Sequence, residues 1–500
     1  MHSSLSLLAV ACVASAATTY RVSIDTSKTF QTIDGFGFSE AFQRANQIIN
    51  LKEPVRSQLV DLLFNKTSGV GFTILRNGIG SSPNSTNDWM NTIEPSAPAT
   101  PDSTPTYNWD GDDSGQFWIA QQAANYGVKT FYADAWSAPG FMKNNSNDAG
   151  GGYLCGSPGA PACASGDWRK AYADYLTQYV EYYKSVNISI THLGFLNEPD
   201  LVTAYASMEM TGAMAADFIK ILKPALEEKG FGDQVKIACC DATGWGTQRN
   251  MSRDILADKD AAPLVDVFTT HLYTSKIDSP LPSAGQHAWM SEYADLGGNW
   301  STNWFSANAS AHNDTKAMAG DGLTWARNIH TGLTTGNLSA FLWWVATQDT
   351  ATNGNNNEKL VLVDDANNTY TVAKRLWAFA QFSRAARPGA VRVGVDVAPL
   401  TSACKPAKPD DTAAATASPL RTIGFLNANG DVSTVIINDS AEDVAVDVDT
   451  GAKNAVNAEV WVTDASRDLE RLPSIITLEG RVDVQKVPAH GVLSVIVRAS

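Results

Sequence analysis

The feature of this chain that most restricts its fold is a regular alternation of short apolar segments with helical ones. Eight segments have the length and the β-branched and aromatic content of strands. They run over 32–38, 71–78, 128–136, 190–198, 234–242, 265–273, 286–292 and 338–346. Most are continuous apolar runs, which is typical of strands buried on both faces of a parallel sheet.

The segments between these strands carry helical periodicity. In 167–186, Trp168, Tyr172, Tyr175 and Tyr179 fall at the spacing of one helix face. Eight strand–helix units over 32–387 indicate an α/β fold of the (β/α)8 TIM-barrel type. A doubly wound open sheet is the alternative, but it usually has a glycine-rich phosphate-binding turn after its first strand. The turn here, GFGFSEAF, lacks that form.

The pattern changes after residue 387. From 388 to 500, β-rich runs alternate with turn residues, which indicates an antiparallel β domain that contains a low-complexity loop at 406–419. The segment 17–31 is also strand-like, and we expect it to pair with the C-terminal sheet. The predicted domains are a signal peptide at 1–16, this N-terminal strand, the barrel at 32–387, and a side β-sandwich domain completed by 388–500.

The N-terminus has the form of a secretory signal. An apolar run from Leu5 to Val13 leads to Ala14-Ser15-Ala16, a small-x-small cleavage pattern. We therefore expect a secreted, extracellular and monomeric protein. No later segment approaches the roughly 20 continuous apolar residues that a membrane span needs. A net charge of −15 disfavours nucleic acid and anionic membranes as partners.

Asn-x-Ser/Thr sequons agree with secretion and are candidate glycosylation sites. They begin at Asn65, Asn84, Asn144, Asn187, Asn250, Asn299, Asn308, Asn313, Asn337, Asn367 and Asn438.

The cysteines also fit an oxidising compartment. Removal of the signal takes Cys12 away and leaves five. Cys155 and Cys163 flank a Gly/Pro/Ala loop and can close a local disulfide. Of the adjacent pair Cys239 and Cys240, we expect at least one to be a buried thiol. One thiol of the odd total, with Cys404 in a loop-like segment, stays free or pairs outside the chain. No spacing indicates a metal site.

Two predicted strands end in a carboxylate. Glu198 ends the fourth strand in LGFLNEPD, and Glu292 ends the seventh in AWMSEYA. In a (β/α)8 barrel the C-terminal ends of the strands point into the active site. A single Glu at a strand end is often structural, whereas two on different strands fit the paired carboxylates of glycoside hydrolysis. This chemistry requires no cofactor.

Six motifs extend this pattern: DGFGFSEAF, TILRNGIG, DAWSAPGFMK, FLNEPD, SEYAD and FLWW, in this order. Together they resemble glycoside hydrolase family 30 of clan A, and within it the fungal xylanases of subfamily 7. The resemblance implies a retaining mechanism with Glu198 as acid/base and Glu292 as nucleophile. It also implies that Asn197 is placed to bond the sugar 2-hydroxyl, with a strand-end cap as the alternative role.

Other strand-end residues are candidates for the same cleft. Arg76 can hold the nucleophile ionised, or form a structural ion pair with a barrel carboxylate. Tyr273 can hydrogen-bond Glu292, and His271 is either a site residue or a core residue. Trp136, Trp343 and Trp344 offer flat faces for sugar rings, although one of the adjacent pair is expected to be packing. Weaker candidates for outer subsites are Asn77, Trp89 and Trp109.

Arg44 follows GFSEAFQ at the mouth of the first strand. In bacterial glucuronoxylanases of the resembled family, an Arg in the loop after the eighth strand binds the glucuronic acid branch. That loop contains no Arg here. Arg44 can supply a guanidinium fork for the uronate from the other side, as the fungal relatives suggest. The alternative is an arginine in a surface ion pair.

The predicted function is a secreted β-1,4-xylanase that acts on plant cell-wall xylan, preferably glucuronoxylan. It either cuts internally or releases xylobiose from chain ends. The alternatives within the family are a β-1,6-galactanase, a β-1,6-glucanase or a glucosylceramidase. A non-catalytic carbohydrate-binding barrel is the alternative of another class, but the presence of both carboxylates argues against it.

Overall fold

The computed structural model describes residues 19–84, 90–306, 320–349, 356–400, 418–451, 457–475 and 480–499. The predictions for the signal peptide, Trp89, Asn308, Asn313 and Cys404 lie outside these residues.

The described chain begins with a strand of the side domain, β1 (Thr19–Thr32), and then forms a closed barrel. The barrel strands are β2 (Gly35–Ser39), β3 (Ile74–Ile79), β4 (Thr130–Ala135), β5 (His192–Leu193), β6 (Lys236–Ala242), β7 (Val267–His271), β8 (His287–Glu292) and β9 (Ala340–Gln348). Each pairs in parallel with the next, and β9 closes the ring by pairing with β2. The predicted (β/α)8 barrel is confirmed, with one strand within each predicted segment or a residue or two beyond it.

Helices cover the outside of the barrel. They are α1 (Arg44–Asn50), α2 (Val55–Phe64), α3 (Gln116–Asn125), α4 (Arg169–Ser185), α5 (Gly212–Glu228), α6 (Trp245–Ala257), α7 (Gly322–Thr334) and α8 (Arg375–Ala385). Short 3-10 turns lie at Gly140–Met142 and Ala262–Leu264. The tyrosines predicted to form one face of α4 are indeed buried. None of these helices combines the length and the apolar character that crossing a bilayer requires.

A hairpin extends the barrel beyond its eighth strand. Strand β10 (Lys359–Asp364) pairs in parallel with β9, and β11 (Thr369–Val372) pairs antiparallel with β10. We call the C-terminal ends of the barrel strands the barrel mouth.

The side domain is a nine-stranded sheet. After α8 its strands are β12 (Val391–Leu400), β13 (Leu420–Leu426), β14 (Val432–Asn438), β15 (Val444–Asp449), β16 (Ala458–Thr463), β17 (Glu470–Ile475), β18 (Arg481–Val487) and β19 (Val492–Val497). Strand β1 lies between β12 and β15, so both ends of the chain build one sheet. The predicted side β-domain, with the N-terminal strand in it, is confirmed.

Alternation explains how this sheet folds over a core. In β15 the three valines are buried and the residues between them are partly exposed. The same pattern in the neighbouring strands assembles a core made mostly of valine, in which Val22, Val448 and Val460 are fully buried. Valine suits this position because its branched side chain packs well on a pleated surface.

The N-terminal end of the barrel is closed by packing and hydrogen bonds. The Trp289 ring lies inside the barrel, and its Nε1 donates to Asp34 Oδ2 at 2.6 Å. His287 Nδ1 lies 2.7 Å from the same oxygen. Access to the barrel interior is therefore from the mouth.

The described cysteines are all in disulfides. Cys155 and Cys163 are bonded across their loop, with Cα atoms 5.6 Å apart. Cys239 and Cys240 are bonded to each other on β6. The expectation of a buried thiol at this pair was wrong, because the two neighbouring sulfurs are close enough to pair with each other.

The described sequons differ in exposure. Those at Asn84, Asn144, Asn187, Asn250, Asn299 and Asn367 are exposed, and those at Asn65 and Asn337 are half-buried. Asn438 is fully buried, and its Nδ2 donates to the carbonyls of Glu442, Val487 and Pro488. Glycosylation of the folded chain at Asn438 is therefore excluded, since the reacting nitrogen is enclosed and engaged.

Candidate active site

The two predicted carboxylates meet at the barrel mouth. Glu292 is the last residue of β8, and Glu198 follows the short strand β5. One oxygen of each carboxylate and one ring nitrogen of His271 all lie within 4.8 Å of one another. Both carboxylates are more than 90% buried. This spacing matches the short separation of a retaining pair rather than the wider one of an inverting pair.

An unusual backbone conformation positions Glu198. Its φ is 49°, in the left-handed region that residues other than glycine rarely adopt. The Glu198 amide donates to the carbonyl of Asp241 at 2.8 Å, and Asp241 itself has a φ of 50°. A backbone hydrogen bond therefore joins two acidic residues that both have this uncommon conformation, one after β5 and one in β6. Such outliers concentrate at functional sites.

Arg76 lies at the centre of the site and is fully buried on β3. Its Nη1 donates to Glu292 Oε2 at 2.5 Å, and its Nη2 donates to Asn197 Oδ1 at 2.7 Å and to Asp134 Oδ2 at 3.0 Å. The guanidinium also lies 4.5 Å from the centre of the Trp136 ring. Both predicted roles of Arg76, the bond to Glu292 and the ion pair with a barrel carboxylate, are present in one side chain.

Tyr273 donates from its hydroxyl to Glu292 Oε1 at 2.9 Å. Burial, followed by the charges of Glu292 and Glu198, raises the pKa of Tyr273 well above its usual value. The hydroxyl therefore stays protonated and remains a donor. Together, Arg76 and Tyr273 engage one oxygen each of Glu292, which fixes the orientation of that carboxylate.

His271 is part of the site, although its exposure is zero. Its Nδ1 lies 3.0 Å from Glu198 Oε1, and its Nε2 lies 3.5 Å from Asp241 Oδ1 and 3.8 Å from Glu292 Oε2. Burial lowers the pKa of His271, but the charge of Glu292 and the interactions with Asp241 and Glu198 outweigh it and raise the pKa to about 10. His271 is therefore an imidazolium at neutral pH, and it contacts three carboxylates.

The charge of Glu292 is a balance of opposing effects. Burial raises the pKa of Glu292 above its usual value, and Glu198 raises it further, whereas His271 and Arg76 lower it. The pKa of Glu292 is thus above its usual value, and the two cations limit how far burial raises it.

Two buried carboxylates of the site were missed in the sequence. Asp134 is the next-to-last residue of β4, and Asp241 is the next-to-last residue of β6; neither is exposed. Burial raises the pKa of Asp241, but Arg76 and His271 outweigh it and bring the pKa below its usual value. Burial, with the charge of Asp241, raises the pKa of Asp134 well above normal. An aspartate within an apolar strand was the available signal.

The polar neighbours of these aspartates complete the network. Tyr132 and Ser291 both donate hydroxyl hydrogen bonds to Asp241. Gly194 makes room for Asp134, since a Cβ at Gly194 would lie 2.1 Å from Asp134 Oδ1. The glycine in LGFLNEPD is thus required by the carboxylate of the neighbouring strand.

The predicted aromatic platforms separate into two kinds. Trp343 is fully buried between α7 and α8, and its Nε1 donates to the Glu358 carbonyl at 2.6 Å. Trp343 is therefore the member of the adjacent pair that packs, as was expected of one of them, because successive side chains of β9 point to opposite sides. Trp344 is partly exposed and packs against Phe42 and Trp136. Trp136 itself is buried, with 2% exposure. Trp344 is therefore the better placed of these tryptophans to contact a sugar.

The described residues predicted for the outer subsites do not line the cleft, and a tyrosine that was not predicted does. Trp109 stacks on Tyr182 of α4 with ring centres 5.0 Å apart, so it packs on the outside of the barrel and does not form an outer subsite. Asn77 is buried, with 1% exposure. Tyr205, which the sequence analysis did not select, is 37% exposed and forms a side-chain hydrogen bond with Glu198. It lies in the chain that follows Glu198.

Arg44 begins α1 and is 6% exposed. Its Nη1 donates to the Phe42 carbonyl at 2.8 Å, and its own carbonyl accepts from Thr347 at the end of β9. Burial lowers the pKa of Arg44, while the charges of Glu358, Glu40 and Asp349 raise it. The arginine thus lies between the first and the eighth barrel strands, as predicted from its position, but in a buried and acidic setting.

The trio of Glu198, His271 and Glu292 has a spacing that a metal ion could use. Coordination would require a neutral His271, whereas its pKa of about 10 favours the imidazolium. A metal would also have to displace Arg76 from Glu292. The donor set therefore suits acid–base and nucleophilic chemistry better than metal binding.

Comparison with known proteins agrees with this geometry. The family model described as "Glycosyl hydrolase family 59" matches residues 33–384. The solved "catalytic domain of GH30 xylanase C" from Talaromyces cellulolyticus is 36% identical, with a TM-score of 0.82, and the match covers 96% of this chain and all of that one.

More distant relatives cover less of the chain. Glucuronoxylanase XynC of Bacillus subtilis is 24% identical over 65% of this chain and 66% of its own length. The Caenorhabditis elegans protein named "Putative glucosylceramidase 2" is 28% identical over 51% of this chain. The present chain spans about half the length of the nematode relatives.

The two family matches cover different parts of the chain. The family 59 model matches the barrel region, whereas the family 30 structure matches the barrel and the side sheet together. The longer match, at 36% identity, decides between them. The chain belongs to glycoside hydrolase family 30.

Proposed function

We propose that this protein is a secreted retaining β-1,4-xylanase that acts on glucuronic-acid-branched xylan. The observation that carries the proposal is the pair Glu198 and Glu292, whose nearest oxygens lie within 4.8 Å at the mouth of the barrel. A retaining enzyme needs this proximity, because one carboxylate attacks the sugar from one face while the other protonates the leaving oxygen.

In the first step, Glu292 attacks the anomeric carbon and forms a glycosyl-enzyme ester. Glu198 donates its proton to the departing glycosidic oxygen. Arg76 and Tyr273 hold the two oxygens of Glu292, so that the nucleophile enters the step already oriented and ionised. Asn197 is held through its Oδ1 by Arg76, which leaves its amide nitrogen as the donor toward a sugar hydroxyl.

In the second step, water cleaves the ester and Glu198 acts as the base. The negative charge of Glu292 is absent from the ester, which makes ionisation of Glu198 easier. His271 Nδ1 lies 3.0 Å from Glu198 Oε1 and so holds the acid/base carboxylate in place. Glu198 thus changes from acid to base because the charge of its neighbour changes.

Xylan is the proposed substrate because a likeness at 36% identity over nearly the whole chain is to a xylanase. The match to the Talaromyces enzyme covers nearly the whole chain, and the Bacillus relative is named for glucuronoxylan. We assign the recognition of the uronate branch to Arg44, whose guanidinium would exchange part of its acidic surroundings for the substrate carboxylate. The apolar segment within 1–16 supports secretion.

Product analysis tests the substrate. Wild type, Arg44→Gln and Arg56→Gln are incubated with glucuronoxylan, unbranched xylan and β-1,6-glucan, and the products are separated by chromatography. Arg56 is the control because it lies in a solvent-exposed ion pair with Glu53. We expect wild type to prefer the branched polymer and Arg44→Gln alone to lose that preference while it still cuts plain xylan. Cleavage of β-1,6-glucan without xylan would contradict the proposed substrate.

A further inference from the structure

A second charged cavity lies on the outside of the barrel. It has a volume of about 670 Å³ and lies where α8 and the end of α2 meet the side sheet. Its cationic lining residues are Lys66, Arg384, Arg387, Arg471 and Arg498. We call this cavity the arginine cleft. A concentration of cations is unexpected on a chain with a net charge of −15.

The carboxylates of the arginine cleft are already used by the side sheet. Asp431 accepts from Arg498 at 2.6 Å, and Glu459 lies 3.0 Å from Arg498 and 3.5 Å from Arg471. Arg471 and Arg498 therefore have their counter-charges within the protein. No further carboxylate lines the cleft in the described part of the chain.

The three cations from the barrel side have no such counter-charge. Arg384 lies flat on the Trp461 ring, with its guanidinium carbon 3.8 Å from the ring centre. Arg387 Nη1 donates only to the uncharged carbonyls of Gly71 and Ser383. Among the residues that the structure describes, neither arginine has an ion-pair partner, and neither does the exposed Lys66 at the rim.

Their protonation reflects this lack of compensation. Burial and the nearby arginines, against the opposing charge of Glu459, lower the pKa of Arg384 to about 10. Burial alone lowers the pKa of Arg387 to about 10 as well. An anion in the cleft would offset the excess charge and accept hydrogen bonds from the Arg384 guanidinium.

We propose that the arginine cleft binds a carboxylate-bearing saccharide, with the carboxylate held by Arg384 and Lys66. The guanidinium of Arg384 is stacked in place by Trp461, so its N–H groups are presented at little entropic cost. A single inorganic oxyanion would leave most of the cleft empty, whereas cavities of roughly 300–1,000 Å³ suit organic ligands. This inference does not depend on the substrate proposed for the barrel mouth.

The test is a ligand-observed NMR titration of the full chain with D-glucuronate, D-glucose and sulfate at low salt. The proteins are wild type, Arg384→Gln, Arg384→Lys and Lys66→Gln. The matched control is Arg421→Gln, since Arg421 is paired with Asp439 on the outer side sheet and does not line the cleft. Thermal unfolding of each variant checks that the fold is kept.

We expect glucuronate but not glucose to bind wild type, with a dissociation constant at least tenfold higher in Arg384→Gln and severalfold higher in Lys66→Gln. Arg384→Lys should recover part of the loss, and Arg421→Gln should equal wild type. Unchanged glucuronate binding in a folded Arg384→Gln variant would overturn the proposal. Sulfate binding at Arg384 without glucuronate binding would also overturn it, because the site would then serve a simple oxyanion.

Discussion

The charged network at the base of the barrel mouth and the core of the side sheet are both buried, yet the first consists of ionisable side chains and the second of apolar ones. At the mouth, Arg76, Asp134, Asp241 and His271 are completely buried, and each has a partner of opposite charge. The side-sheet core consists almost entirely of valine, isoleucine and leucine. The buried cations at the mouth contact the carboxylates of the proposed reaction and orient them, whereas the side-sheet core contributes apolar packing.

The energetic cost of the two regions differs accordingly. A buried ion network gains little net stability, and removal of one member is costly because its partner is left charged and unpaired. An apolar core contributes through the area removed from water, and truncation costs the lost contacts plus the cavity. Substitutions at the mouth should therefore change activity first, and substitutions in the side sheet should change stability alone.

The largest expected effect is on turnover in Glu292→Gln. Loss of the attacking oxygen should lower kcat by about 10⁴-fold or more, and the unfolding midpoint should fall as well because Arg76 and His271 lose a carboxylate partner. Steady-state kinetics and thermal unfolding measure the two quantities. Glu228→Gln is the control, since Glu228 is an exposed partner of Lys170 on α5. Equal activity of both variants would remove Glu292 from the mechanism.

Arg76→Lys should come next. An ammonium group cannot reach Glu292, Asn197 and Asp134 together, as the guanidinium does. We expect kcat/KM to fall by roughly 10²–10³-fold. Since less positive charge then faces Glu292, its pKa should rise, and the acidic limb of the pH–rate profile should move to higher pH. A profile that keeps its acidic limb would contradict the role given to Arg76.

His271→Gln should change how stability depends on pH. The folded-state pKa of His271 is raised to about 10 from an ordinary value of 6.5. Its stabilisation is therefore fully present below pH 6.5 and is lost as the pH rises through 10. Wild type should lose on the order of 3–5 kcal/mol relative to His271→Gln over this window. Urea unfolding of both proteins at pH 6 and pH 10 measures the difference, and parallel pH dependences would refute the assigned charge.

Val448→Ala tests whether the side-sheet core contributes to stability alone. Val448 is fully buried in the side-sheet core, and its truncation should cost about 2 kcal/mol of unfolding free energy. The kcat/KM of the folded variant should equal that of wild type. Asp449→Ala, at the next position of β15 and facing outward, should change stability by less than about 0.5 kcal/mol. A loss of kcat/KM in Val448→Ala would show that the side sheet also supports catalysis.

The sequence predicts where the strands of both regions lie better than it predicts which side chains contact each other at the mouth. Apolar runs and alternation depend on burial, so the eight barrel strands and the side sheet could be located from local patterns. The carboxylates Glu198 and Glu292 could be selected because each is a charged residue at the end of an apolar predicted strand. The partners of buried groups depend on how the barrel closes, which local patterns do not contain. For that reason Asp134 and Asp241 were missed, and Trp343 could not be separated from Trp344.

Partner choice also explains the remaining errors. The sequon at Asn438 has the same local pattern as the exposed ones, but its side chain caps backbone carbonyls inside the side domain. Cys239 and Cys240 lie in an apolar run that fits a buried thiol equally well. For Asn438 the three-dimensional neighbours decide the role, and for the cysteines the adjacent sulfurs bond to each other, an outcome that the apolar pattern alone does not distinguish from a free thiol.

The central claim is that Glu292 attacks the sugar and forms a covalent intermediate. Its most direct test is incubation with a 2-deoxy-2-fluoro-xylobioside that carries a good leaving group, followed by mass spectrometry of the intact protein and its peptides. The account predicts one added xylobiosyl group per chain, located on Glu292 and absent from Glu292→Gln. A label on another residue, or turnover without any label together with inverted products, would contradict it.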